Sequence, residues 1–197
     1  MTPVIAGILL AGGVGRRFDP SGARLKLLEP AALGPHAGAP LAAAACRNLK
    51  AALADVIAVV RPADTALQRS LRDLLQAEGC HVVECAGSVR GMGASLACGV
   101  RSSRDAAGWI VALADMPAIR PGTIATVADA LRAGHRTAAP YVGPQRGHPV
   151  GFGAELRDAL AALDGDIGAR ELLQRIPPFH VEVDDPGCLL DVDEPSA

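Results

Sequence analysis

An apolar run that passes directly into a glycine-rich turn constrains this chain more than any other stretch. Residues 4–10 (VIAGILL) are apolar enough to form a buried strand, and they are followed by Gly12, Gly13, Gly15 and Arg16. Glycines let backbone N–H groups approach a ligand closely, and arginine adds charge-assisted donors for phosphate oxygens. The stretch therefore predicts a phosphate-binding turn after the first strand, with an ordinary tight strand-to-helix turn as the alternative.

Two familiar glycine motifs do not fit this turn. The Walker pattern ends in Gly-Lys-Ser/Thr, which this turn lacks. The dinucleotide fingerprint needs a third glycine at the position that Phe18 occupies. The turn therefore indicates a phosphate-binding fold of another kind.

Strands and helices alternate along the rest of the chain. Apolar runs predict strands at 56–60, 80–85 and 109–114, and helical patterns separate them, one of them capped at Asp64 and ended by Gly79. Such alternation is typical of a mostly parallel sheet with helices on both faces.

Three segments are less regular. The stretch 29–40 is rich in Pro, Gly and Ala, which predicts an irregular surface loop. The stretch 136–142 contains Pro140, so we expect a weak strand at an edge or a bend. The glycine-dense stretch 143–153 predicts a loop.

Composition limits the class of protein. A length of 197 residues suits one large domain, and a formal charge of −2 with only three Phe, one Tyr and one Trp argues against a nucleic-acid partner or an anionic membrane surface. The five cysteines have no Cys-x-x-Cys spacing, which predicts buried free thiols in a reducing compartment. No basic region precedes the first apolar run, and that run is far shorter than the ~20 residues of a membrane span. We therefore expect a cytoplasmic protein.

Four polar residues stand where a ligand could lie. Asp115 follows the strand 109–114, and a carboxylate at the carboxyl end of a strand can hold Mg²⁺ against a triphosphate or simply cap a turn. Lys26 could fold back onto phosphate or lie at the surface, and Ser95 could contact a nucleotide or cap a helix. His148 could be a base, a phosphate donor or a structural hydrogen bonder.

Seven short blocks, taken together, resemble those of the nucleotidyltransferases of molybdenum cofactor maturation, above all the cytidylyltransferases. They occur in order from end to end of the chain with nearly family-like spacing, which makes the signal specific. The blocks are LLAGGVGRRF, KLL at 26–28, GMGASLACGV at 91–100, LADMP at 113–117, RGHPVGF at 146–152, GDIGARELL at 165–173 and LDVDEP at 190–195.

The resemblance implies a fold and a reaction. The fold is a three-layer α/β/α Rossmann-like nucleotidyltransferase fold with a mixed, mainly parallel sheet, here a single domain over residues 1–197. The reaction transfers CMP from CTP to the terminal phosphate of molybdopterin, releases pyrophosphate and requires Mg²⁺. Docking to a molybdenum hydroxylase or its chaperone is a further implication.

The resemblance also implies roles for residues at the matching positions. Catalysis would involve Arg16, Lys26 and Asp115, and Mg²⁺ would be held by Asp115 and Asp193. The molybdopterin side would involve Arg146, Gly147, His148 and Pro149. The nucleotide would contact Leu10, Ala11, Gly12, Gly13, Gly15, Arg16, Lys26, Ser95 and Asp115.

One departure leaves the base open. The first loop has Gly12 where the cytidylyltransferases usually have alanine, a form more typical of the guanylyltransferase. The blocks RGHPVGF, GDIGAR and DVDEP favour CTP. The alternatives are a guanylyltransferase using GTP, a nucleotidyltransferase for another small phosphorylated molecule, and a non-catalytic accessory protein that binds the cofactor, although a pure binding module has less need of paired carboxylates.

Overall fold

The first apolar run forms a central strand of the sheet in a computed structural model of the protein, which describes residues 4–13, 18–19, 21–103, 105–166 and 168–193. The strands are β1 Ile5–Leu10, β2 Asp55–Val60, β3 His81–Glu84, β4 Gly108–Leu113, β5 Thr137–Val142, β6 Gln145–Arg146, β7 Val150–Gly153 and β8 Phe179–Glu182. The α-helices are α1 Leu41–Ala52, α2 Ala66–Ala77, α3 Met92–Ser102, α4 Pro121–Arg132, α5 Arg157–Ala161 and α6 Arg170–Arg175.

The strands form one mixed sheet in the order β3-β2-β1-β4-β7-β5-β6, and β8 pairs with β5. Strands β1 to β4 are parallel, and β8 is parallel to β5. Strand β7 runs antiparallel to β4 and β5, and β6 runs antiparallel to β5. The predicted mixed, mainly parallel sheet is confirmed.

Alternate residues of β1 enter two apolar cores on opposite faces of the sheet. Leu9 lies in one core with Leu49 of α1 and Ile124 of α4, whereas Ile8 lies in the other core with Val100 of α3. Successive side chains of a strand point to opposite faces, so helices cover both sides of the sheet. This arrangement confirms the predicted three-layer α/β/α fold.

The prediction of a loop over 143–153 is wrong, because this stretch contains β6 and β7. Strand β7 lies inside the sheet, with Phe152 opposite Trp109 of β4. A Cβ on Gly151 would lie 3.1 Å from Val127 and 3.2 Å from Leu131, both in α4. The glycine allows the helix to pack closely on the strand, and its presence concealed the strand in the sequence.

The edge position predicted for 136–142 is also wrong. Strand β5 pairs with β7 at its start, with β6 at its end and with β8 along its other side. Pro140 lies where β5 leaves β7 and meets β6, and its carbonyl accepts a bond of 2.8 Å from the N–H of Gly147. The proline is tolerated there because its missing N–H falls at the change of partner.

One smaller expectation needs correction. Helix α2 is capped by Thr65 and not by Asp64: the Thr65 hydroxyl accepts from the Gln68 N–H at 3.2 Å, and the Gln68 side chain accepts from the Thr65 N–H at 3.0 Å. The loop 29–40 is irregular and mostly exposed, as predicted, and within it the N–H of Ala31 donates to the carbonyl of Ala39 at 2.8 Å.

The cysteines are free, as predicted, and four of the five are buried. The sulfurs of Cys46 in α1 and Cys80, which precedes β3, lie 2.7 Å apart and share a hydrogen bond. Across the described ranges, the helices are all too short or too polar to span a bilayer.

Asp185 joins the start of α4 to the chain after β8. Its buried carboxylate accepts from the Arg120 N–H at 2.8 Å, the Thr123 hydroxyl at 2.6 Å and the Gly187 N–H at 3.1 Å. We expect Asp185→Ala to lower the free energy of unfolding by about 3 kcal/mol, because the donors lose a charged acceptor. Denaturant unfolding measures this loss.

The matched control is Asp184→Ala, which removes an exposed side chain and keeps the backbone carbonyl that Arg120 contacts. Its expected loss is less than about 0.5 kcal/mol. Equal losses in the two variants would show that the buried carboxylate does not secure this junction.

Candidate active site

The candidate site lies at the carboxyl ends of β1 and β4. These strands are parallel neighbours, with Leu10 opposite Leu113, and the N–H of Ala114 donates to the carbonyl of Leu10 at 3.1 Å. The chain proceeds from β1 to β2 and β3 on one side, and β4 lies on the other side. Ligands of open α/β sheets bind at such a point, where the strand order reverses.

The glycine turn after β1 has one packed glycine and one open glycine. A Cβ on Gly12 would lie 3.0 Å from the Ser88 Cβ and 3.3 Å from the Ser95 hydroxyl oxygen. A Cβ on Gly13 would meet no atom of the described residues within 4 Å. Gly12 therefore packs closely against neighbouring residues, whereas the described residues leave the Cβ side of Gly13 unfilled. Gly15 and Arg16 lie outside the described residues.

Lys26 brings the two predicted metal-binding carboxylates together. Its ammonium nitrogen lies 2.7 Å from Asp115 Oδ2 and 3.7 Å from Asp193 Oδ1. The lysine is 9% exposed, whereas the side chain of Asp115 is 25% exposed and that of Asp193 is 49% exposed. Lys26 is thus the most buried of the three charged residues and is not the surface residue that one reading of the sequence allowed.

Backbone and side-chain contacts hold the Asp115 turn from two directions. The N–H of Val192 donates to the carbonyl of Asp115 at 3.0 Å, which brings the adjacent Asp193 to the turn. From α1, the buried amide of Asn48 donates to the Pro117 carbonyl at 2.9 Å. Sequence reasoning missed both supporting residues: Val192 lies inside the LDVDEP block without a distinguishing signal, and Asn48 lies in an ordinary helical pattern.

Ser95 lies beside the glycine turn, as the Gly12 distance shows, and its hydroxyl donates to the Gly91 carbonyl at 3.3 Å. Gly91 and Gly93 lie against the stretch 164–166 on the side where a Cβ would stand. A Cβ on Gly91 would lie 2.5 Å from the Gly165 carbonyl oxygen, and one on Gly93 would lie 2.9 Å from it. The GMG and GDIGAR blocks therefore pack against each other.

The stretch 146–149 joins β6 to β7. Arg146 is exposed, and Gly147 packs against Cys188, whose carbonyl accepts from the His148 N–H at 2.8 Å. His148 Nδ1 is buried and has no hydrogen-bond partner among the described residues. Burial, followed by the charge of Arg146, lowers the pKa of the His148 imidazole, and Asp115 acts in the opposite direction.

The donor set suits a divalent cation that keeps other ligands. Within the described ranges, three or more His, Cys, Asp or Glu side chains do not come together as a possible metal site. Two carboxylates are enough for Mg²⁺, which commonly binds proteins through one or two carboxylates and completes its shell with water and phosphate oxygens. Asp115 and Asp193 fit that pattern.

Comparison with known proteins identifies the family. The model of the MobA-like NTP transferase domain matches residues 7–181. The chain belongs to the MobA-like NTP transferase family. Nucleotidyl transfer is therefore the general activity of this chain. The resemblance found in the sequence is confirmed at the level of this family.

Individual relatives agree with this family. Nicotine blue oxidoreductase of Paenarthrobacter nicotinovorans is 28% identical over 182 residues, which span 89% of this chain and 84% of the relative. Rv0371c of Mycobacterium tuberculosis is 26% identical with a TM-score of 0.78, over 98% of this chain and 95% of that chain. A structure of Rv0371c in complex with manganese has 26% identity and a TM-score of 0.67, over 91% and 88% of the two chains.

The pKa of His148 provides a test of this site. We expect its imidazole to titrate below the ordinary value of about 6.5, because burial disfavours the charged form. Histidine-labelled NMR, with the resonance assigned through His148→Gln, measures the midpoint.

The same shift sets the sign of the pH effect on stability. The unfolded chain binds a proton at His148 more readily than the folded chain, so the free energy of unfolding decreases as the pH falls from about 6.5 through the folded pKa. His148→Gln should lose less stability over that range. A midpoint at or above 6.5 would contradict the buried environment.

Proposed function

We propose that this protein transfers CMP from CTP to the terminal phosphate of a molybdopterin-type substrate, with release of pyrophosphate and with Mg²⁺ as cofactor. The observation that carries the proposal is the contact of one buried lysine with Asp115 and Asp193 at the end of β4, the strand next to the one that leads into the glycine turn. Membership of the NTP transferase family supports nucleotidyl transfer. The CTP and molybdopterin assignments depend on the sequence blocks.

In this proposal Asp115 and Asp193 hold Mg²⁺, which offsets the negative charge of the triphosphate when bound. The manganese complex of Rv0371c supports a divalent cation in this group of proteins. Lys26 stabilises negative charge that develops on the phosphate oxygens, and Arg16 with the N–H groups of the glycine turn holds the triphosphate. For these roles, the phosphates must come close to the polar groups that follow the carboxyl ends of β1 and β4.

The reaction does not require a strong general base. The attacking phosphate of the acceptor is already ionised, and phosphoryl-type transfer depends chiefly on positioning and on electrostatic stabilisation. One lysine and two carboxylates supply this positioning and electrostatic stabilisation. A protein that only binds the cofactor would have less need of them. We therefore favour an enzyme over a non-catalytic accessory protein.

The packing of Gly12 bears on the choice of base. A Cβ at this position would lie 3.0 Å from the Ser88 Cβ, so alanine would require Ser88 to move by a few tenths of an ångström. This close packing by itself explains why a glycine stands at position 12. Gly12 is therefore weaker evidence for a guanylyltransferase that uses GTP. The blocks RGHPVGF, GDIGAR and DVDEP then favour CTP.

The acceptor side is assigned to the stretch Arg146, Gly147, His148 and Pro149. This assignment rests on the RGHPVGF block at 146–152. Docking to a molybdenum hydroxylase or its chaperone would follow from this acceptor. The relative from P. nicotinovorans is named for a redox activity. We favour nucleotidyl transfer for this chain because of its family and because Lys26 contacts Asp115 and Asp193.

The role of the first carboxylate can be tested by Asp115→Asn. We expect turnover with CTP, molybdopterin and Mg²⁺ to fall by about 10²-fold or more, because the amide is a poorer metal ligand and lacks the negative charge. Affinity for CTP should be largely retained. Pyrophosphate release measures turnover, and calorimetry measures binding.

Asp73→Asn is the matched control, because Asp73 is an exposed carboxylate that pairs with Arg72 on helix α2. It should leave both quantities unchanged. Unaltered pyrophosphate release by Asp115→Asn at saturating Mg²⁺ would refute the catalytic assignment.

The substrate can be tested with the wild-type protein. We expect incubation with molybdopterin and Mg²⁺ to give pyrophosphate and a dinucleotide with CTP and little product with GTP, since three of the sequence blocks favour cytosine. Product with GTP alone would establish the guanylyltransferase alternative. Tight molybdopterin binding without product from either nucleotide would establish an accessory protein.

A further inference from the structure

We propose that the loop 29–40 positions the second carboxylate of the site, and that Val192 is the positioning residue through which it acts. This inference rests on the proposed metal and triphosphate site. It assigns a function to a segment that otherwise looks like a longer, irregular surface connection.

The loop is closed by backbone hydrogen bonds. Besides the bond from Ala31 to Ala39, the N–H of Gly38 donates to the Ala31 carbonyl at 2.8 Å, and the N–H of Leu41 donates to the Glu29 carbonyl at 2.8 Å. Bonds across both ends of a loop restrict its backbone and give it a fixed surface.

The loop contacts the two other parts of the site. At its start, the N–H of Glu29 donates to the carbonyl of Lys26 at 3.0 Å. At its tip, Gly34 has a φ of 101°, and a Cβ there would lie 2.7 Å from the Pro117 carbonyl oxygen. A glycine is therefore needed for both the backbone conformation and the close approach to the chain after Asp115.

A small apolar cluster lies between the loop, α1 and Val192. Ala31 of the loop is buried with Leu41 and Ala44 of α1, and Ala39 and Val192 pack against them. This cluster is separate from the two cores that cover the sheet. The side chain of Val192 thus packs on a cluster that the loop and α1 build together, while its N–H donates to the carbonyl of Asp115.

The position of Asp193 follows from the two contacts of the preceding residue, Val192. Consecutive Cα atoms are about 3.8 Å apart, so fixing Val192 by both its side chain and its N–H limits where Asp193 can lie. In that position Asp193 Oδ1 is 3.7 Å from the Lys26 ammonium. The loop thereby supports Lys26, the Asp115 turn and Asp193 together.

The test compares Val192→Ala with Leu190→Ala. The first removes two methyl groups from the cluster and keeps the backbone N–H, and the second removes a side chain of the same segment that is 47% exposed. We expect Val192→Ala to speed amide hydrogen exchange at residue 192. Electron paramagnetic resonance should show affinity for Mn²⁺ in the presence of CTP falling about fivefold, because the second carboxylate is less well placed.

Leu190→Ala should match the wild type in both measurements, and Val192→Ile should restore both, because it keeps a branched apolar side chain. Val192→Thr, close to valine in volume, is the second variant if the alanine variant loses its circular dichroism signal. Unchanged exchange and Mn²⁺ affinity in Val192→Ala, or in Val192→Thr in its place, would overturn the inference.

Failure of the inference and failure of the proposed function give different results. A wild type that makes dinucleotide while Val192→Ala binds Mn²⁺ normally would refute the positioning role alone. A wild type that makes no dinucleotide, with weakened Mn²⁺ binding in Val192→Ala, would refute the substrate assignment and support the positioning role.

Discussion

The site depends on the contact between the Lys26 ammonium and the carboxylate of Asp115. A nearly buried lysine is costly unless a partner compensates for the lost hydration, and Asp115 provides that partner at 2.7 Å. Asp193 lies slightly farther away, at 3.7 Å. The lysine holds two carboxylates near each other and leaves each partly exposed toward a ligand.

The rest of the fold brings these three charges to one place. The parallel pairing of β1 and β4 sets the glycine turn beside the Asp115 turn, and the turn that begins at Lys26 directly precedes the loop 29–40. Helix α1 adds Asn48 to the support of the Asp115 turn. Lys26, Asp115 and Asp193 are far apart in the sequence. The packing of the whole α/β/α fold brings them together.

Sequence reasoning succeeded where a local rule was enough and failed where tertiary packing decided. Strand periodicity predicted the sheet, and the strand-end rule selected Asp115. It missed β7, because Gly151 is required by the close approach of α4 to the strand. The support given by Val192 could not be predicted, since it depends on packing between segments about 160 residues apart, as the positions of Ala31 and Val192 show.

The most direct test of the site is a crystal structure with Mn²⁺ and the α,β-methylene analogue of CTP, which cannot be cleaved between those phosphates. Anomalous scattering would locate the metal. The account predicts a peak about 2–2.5 Å from carboxylate oxygens of Asp115 and Asp193, with the phosphates against the backbone of Gly13. A metal peak away from both carboxylates, or phosphates bound at another edge of the sheet, would contradict it.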